Sequence, residues 1–124
     1  PQDSVAVPAY GIAPAPPPVS VTLGVPRVSA PRRLSPAAAS RVVNARLAGL
    51  RRCFYGVLGY GTPRPISLTV TLTASRAGIL DLVVIGVSPP EHVRVCVVNE
   101  YRAMTFPIRE GAVRVTQTLV ARSP

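Results

Sequence analysis

The chain alternates without a fault over 66–73 (ISLTVTLT), with Ile66, Leu68, Val70 and Leu72 on one side and Ser67, Thr69, Thr71 and Thr73 on the other. A period of two held over that length predicts a strand with one buried and one wet face. After a turn around Ser75–Gly78 comes 79–87 (ILDLVVIGV), apolar on both faces. This predicts a second strand, more covered than the first and paired with it as an antiparallel hairpin. Over 112–120 (AVRVTQTLV) the alternation returns, Val113, Val115 and Leu119 against Arg114, Thr116 and Thr118, and predicts a last strand. Its preferred place is beside the first hairpin strand, antiparallel to it. A weaker pattern at 19–29, with Val19, Val21 and Leu23 against Ser20 and Thr22, is interrupted by Gly24 and Pro26 and reads as an edge strand at best.

Two segments carry helical spacing instead. Ser35 is a good N-cap, Pro36 stands at the favoured first helical position, and Ala37, Ala38 and Ala39 are strong helix formers. Val43, Leu47, Leu50, Phe54 and Val57 then recur on one face, so a single helix is expected to run to about Leu58, with Gly59 as its cap. Ser88 and Pro89 repeat the cap-then-proline signal, and Glu91 suits the first turn of a second helix. Its inner face is Val93, Val97, Tyr101 and Met104, and it stops before Pro107.

The expected fold is therefore α+β: a small antiparallel or mixed sheet of three to four strands with two helices on one face, in the order helix–strand–strand–helix–strand. The chain of 124 residues suits a single such domain, over 19–124. Residues 1–18 stand apart, because six prolines, ending in Pro16, Pro17 and Pro18, exclude helix and central strand and predict an extended arm or linker.

Composition changes this picture in two ways. The chain is 48% hydrophobic and only 15% charged, enough to build a core of branched aliphatics. Its formal net charge is +9, carried wholly by arginine, and that sign suits nucleic acid, lipopolysaccharide, anionic lipid or an acidic protein. The arginines are spread along the chain, which is the mark of a solvated surface more than of a groove. The densest spots, Pro31-Arg32-Arg33 and Arg51-Arg52, lack interleaved aromatics. Nucleic acid is thereby disfavoured, while binding of some other polyanion stays open. No apolar run reaches the roughly 18–20 residues that span a bilayer, so no membrane span is expected.

Cys53 and Cys96 each fall within an expected helix. In a reducing compartment they are two buried thiols; in an oxidising one they bridge the helices. A chain beginning at Pro1 suits a processed, exported protein, so the bridge and a periplasmic or extracellular location are the expectation.

Catalytic chemistry finds little to use. His92 is the only histidine, and no fourth ligand accompanies it and the two cysteines for a metal. There is no G-x-S-x-G elbow, and the five acidic residues, at 3, 81, 91, 100 and 110, form no close pair in sequence. Gly56, Gly59 and Gly61 are not followed by Lys-Ser/Thr as a phosphate loop requires. No enzyme activity, cofactor or metal is expected.

The run Leu50-Arg51-Arg52-Cys53-Phe54, the hairpin with its turn Gly78, and Val93-x-x-Cys96-Val97 followed by Phe106-Pro107 resemble one family. They look like the TonB-like C-terminal domain of myxobacterial envelope and gliding-motility proteins of the AgmX and PglI type, over roughly residues 19–120. The resemblance implies a non-catalytic periplasmic or cell-envelope module that binds another protein through a sheet edge. The last strand is then the expected edge, with Val113, Arg114, Val115, Thr116 and Gln117 as partner-binding residues. The alternative is a structural subunit of a surface or extracellular assembly, its identical copies joined by the arm through Pro16, Pro17 and Pro18.

Overall fold

The computed structural model describes residues 19–55, 57–58, 64–87 and 89–122. The expectations for the arm at 1–18, including Pro16, Pro17 and Pro18, fall outside these, as do Ser88, Gly56, Gly59 and Gly61. Among the described residues five strands and three helices follow in the order β1 (Ser20–Leu23), β2 (Arg27–Val28), α1 (Pro36–Asn44), α2 (Leu47–Arg52), β3 (Ile66–Ser75), β4 (Gly78–Gly86), α3 (Glu91–Arg102) and β5 (Ala112–Arg122). The class is α+β, and every strand pairing is antiparallel.

The sheet order is β1-β5-β3-β4, with β2 also on β5 beside β1. β3 and β5 form the spine, in continuous register from Ile66 opposite Ala121 to Ser75 opposite Ala112. Alternation decides what each face does. Leu68, Val70, Leu72 and Ala74 from β3 and Val113, Val115, Leu119 and Ala121 from β5 are buried on one face. Against them pack Ala39 and Val43 of α1, Leu50 of α2, and Val93, Val97 and Tyr101 of α3, so the helices lie on that face. The opposite face carries the threonine rows, Thr69 across from Thr118 and Thr71 across from Thr116. Among the described residues no helix covers it.

The start of α1 follows its sequence signal. Ser35 is extended (φ −73°, ψ 149°) and its Oγ accepts from the Ala38 N–H at 3.1 Å, with Pro36 in the first turn. The single helix expected to reach Leu58 does not form. It breaks at Ala45–Arg46, where the Arg46 N–H bonds back three residues to the Val43 carbonyl, and α2 ends at Arg52. Beyond it the hydrogen bonds are mixed: Phe54 N–H to Arg51 O and Val57 N–H to Phe54 O are of the tighter kind, and Leu58 N–H bonds to Phe54 O. Phe54 and Leu58 stay fully buried, so the core keeps these apolar side chains beyond the end of α2. Gly49 sits at the contact with α3, where a Cβ would strike the Glu100 carboxylate. Arg46, at the break, reaches the same place: Nη2 donates to Ala103 O at 3.3 Å and Nη1 lies 3.8 Å from Glu100.

The segment at 19–29 is indeed divided by Gly24 and Pro26, and both halves lie along one side of β5. This adds strands to the three or four expected, and it has a consequence for β5, which becomes an inner strand.

Candidate functional site

A sheet exposes backbone chemistry only at its edges, so the two edges decide where a strand-like partner could pair. One edge is β1 with β2. It is short, broken at Gly24–Pro26, and its one charged residue is Arg27, features by which natural sheets discourage pairing. The other is β4, nine residues long and hydrogen-bonded to β3 alone. Among the described residues the N–H and C=O groups along its free side have no strand partner.

The last strand is therefore not an edge, and the expectation of it as the exposed edge is corrected. β5 is paired with β3 on one side and with β1 and β2 on the other. Val113, Val115 and Gln117 point into the core, while Arg114 and Thr116 stand on the threonine face. A polar, alternating strand reports one wet face; it carries no information about which of its two sides is paired.

Gln117 has a different task. It is the buried polar residue among the described residues, and its Oε1 accepts from the Tyr101 hydroxyl at 3.0 Å while its Nε2 donates to Gly24 O at 2.8 Å. Burial pushes the Tyr101 phenol well above the usual tyrosine range.

β4 is corrected in the other direction. Its apolar residues on both faces suggested cover, yet Val84 is the single fully buried residue of the strand. α3 packs on its inner face, and the outer face is bare. Val83 and Ile85 on that face are 45% and 62% exposed, and Val87 just beyond the strand is 96% exposed. Between Thr73 and Ala74 the register shifts, so Leu80 is an extra residue bulged from the ladder, 62% exposed. Among the described residues, four of the seven exposed large apolar side chains lie within 80–87, which makes this a patch and not scatter. Beside the bulge a cleft of about 310 Å³ is lined by Ile79, Leu80, Asp81, Leu82 and Arg102. It offers one guanidinium and one carboxylate next to the free edge.

Cys53 and Cys96 are joined as a disulfide, with Cα atoms 5.5 Å apart, linking the end of α2 to the middle of α3. Both sulfurs are thereby engaged. His92 is exposed on α3, and its neighbour Glu91 accepts from Arg94, a bond that holds the Glu91 carboxyl below the usual range. Among the described residues no three His, Cys, Asp or Glu side chains group as a metal site, and no helix is long and apolar enough to cross a membrane.

Compared with models of known protein families, with curated proteins and with solved structures, the chain gives no match.

Proposed function

We propose that this chain is a non-catalytic protein-binding module of the bacterial cell envelope, of the TonB-like C-terminal kind, that takes an extended segment of its partner onto β4. The observation that carries this reading is the long, bare, apolar edge: β4 pairs only with β3, and Val83 and Ile85 stand exposed along it. An added strand gains main-chain hydrogen bonds from the free edge and side-chain contacts from alternate residues. Covering Val83 and Ile85 contributes on the order of 1–2 kcal/mol each. Arg102 in the cleft beside Leu80 suits an acidic side chain of the partner, in keeping with the net charge of +9. The Cys53–Cys96 bridge is consistent with an oxidising compartment outside the cytoplasm.

The test uses the double variant Val83→Lys/Ile85→Lys. Both positions are exposed, so the fold tolerates lysine, and edge lysines block strand pairing in natural sheets. Immobilised wild type should retain a partner from envelope extracts at moderate salt, and the variant should lose it. Equal retention by the variant would remove β4 from the account.

A further inference from the structure

The turn at 31–33 and the segment 107–111, far apart in sequence, meet at one corner of the molecule. The turn is closed by Arg33 N–H to Ala30 O at 2.9 Å and anchored by Leu34, which is 2% exposed. The opposite wall is anchored by Phe106 and Ile108, both buried, with Ile108 N–H bonded to Phe106 O at 2.8 Å. Arg32 and Arg33 therefore project from one fixed backbone and Arg109 from another. Between them lies a cleft of about 290 Å³ lined by Arg32, Arg33, Pro107, Arg109 and Glu110. Gly111, at φ 73°, completes it: the Arg33 guanidinium lies in the space that a Cβ at 111 would occupy. Among the described residues the ion pairs are Arg46 with Glu100 and Arg94 with Glu91, and neither of these includes an arginine of the cleft.

We propose that this cleft is a binding site for a phosphate monoester. Guanidinium forks match tetrahedral oxyanions bidentately, and three of them against the single Glu110 carboxylate leave a net excess of two positive charges. The volume is small for a binding pocket, about right for a phosphate and the first atoms of what bears it. Exposed charge held on anchored backbone differs from the rest of the basic surface. Arg51 and Arg52, the other dense spot, sit in the last turn of α2. The ester arises either on a soluble phosphorylated molecule or on a lipid headgroup, and the chemistry recognised is the same.

The experiment is a titration of the oxidised, full-length protein with glucose 6-phosphate, followed by backbone amide NMR. Saturable shifts are expected at 31–34 and 107–111. Arg109→Gln and Arg33→Gln should each weaken binding about tenfold or more, since each removes a charge-assisted bond. Glu110→Gln should tighten it, a gain that no folding defect would mimic. Arg51→Gln/Arg52→Gln should leave it unchanged. Sedimentation with phosphatidylcholine vesicles, with and without phosphatidic acid, separates the sources: stronger retention by phosphatidic acid than by the soluble ester assigns the headgroup, and the reverse assigns the soluble phosphate. Shifts spread over all arginine-bearing surfaces without saturation, or equal weakening by Arg51→Gln/Arg52→Gln, would overturn the site and leave a diffuse basic surface.

Discussion

The Tyr101 hydroxyl donates to Gln117 Oε1 at 3.0 Å, joining the last turn of α3 to the inner strand β5 inside the core. Gln117 passes the connection on to Gly24 O at 2.8 Å, where β1 gives way to β2. Helix, central strand and edge connection are thus tied through one amide whose polar atoms are away from water. Removing the hydroxyl with Tyr101→Phe leaves a buried acceptor unpaired and should cost about 1–3 kcal/mol. Gln117→Met should cost a similar amount. Urea denaturation of the two single variants and the double should show coupling above about 0.5 kcal/mol, the double losing less than the sum.

The same phenol makes stability depend on alkaline pH. Its ionisation is pushed up in the folded state by burial, whereas in the unfolded chain it titrates near pH ~10. Above that pH the unfolded state releases a proton that the folded state keeps. The unfolded state then binds fewer protons, so stability falls as pH rises, by up to about 1.4 kcal/mol per unit. The contribution is fully present below the unfolded value and is lost as pH climbs toward the folded one. All 14 basic side chains are arginine, so no lysine titration overlaps the window. Urea midpoints at increasing alkaline pH should fall more steeply for wild type than for Tyr101→Phe.

The disulfide joins positions 43 apart, and closing a loop of that size restricts the unfolded chain by about 4 kcal/mol on the chain-entropy account. Cys53→Ala/Cys96→Ala should lower the unfolding free energy by about that much, less whatever native-state strain the bridge carries. Before reduction a thiol assay of the unfolded protein should find none, and after reduction two.

The ladder position of β5 separates it from β4. Val115 lies opposite Leu72 on one side and Val28 on the other, so Val115→Pro disrupts an inner strand and should cost about 3 kcal/mol or more, read as loss of cooperative unfolding. Val83→Lys, at an exposed edge position, should stay within about 0.5 kcal/mol of wild type.

These contrasts also mark what the sequence could carry. Alternation located β3 and β5 because a half-buried strand imposes a period of two, and the Ser35–Pro36 signal located the start of α1 because it is a local hydrogen-bond device. Pairing is a different matter. Nothing in Arg114, Thr116 and Thr118 distinguishes an inner strand from an edge, since backbone partners are set by where β1 and β2 return. The apolar outer face of β4 was legible as Val83 and Ile85, but the same residues suit a covered strand. At the break Ala45–Arg46 the Arg46 side chain meets Glu100 and Ala103, contacts from outside the helix that its own spacing does not show. Gln117 occupies an inward position of β5, yet a glutamine reads as surface until Tyr101 and Gly24 are beside it. The cleft of Arg32, Arg33 and Arg109 needs two distant segments to meet, so only half of it was visible, as the Pro31-Arg32-Arg33 run.

The measurement that bears most directly on the binding account is amide hydrogen exchange along residues 78–87, with the wild-type protein alone and then loaded with the partner retained from envelope extracts. Slowed exchange concentrated on the free side of β4, and absent when Val83→Lys/Ile85→Lys is treated in the same way, is the predicted result. Protection elsewhere on the fold with 78–87 unchanged would contradict strand pairing at this edge.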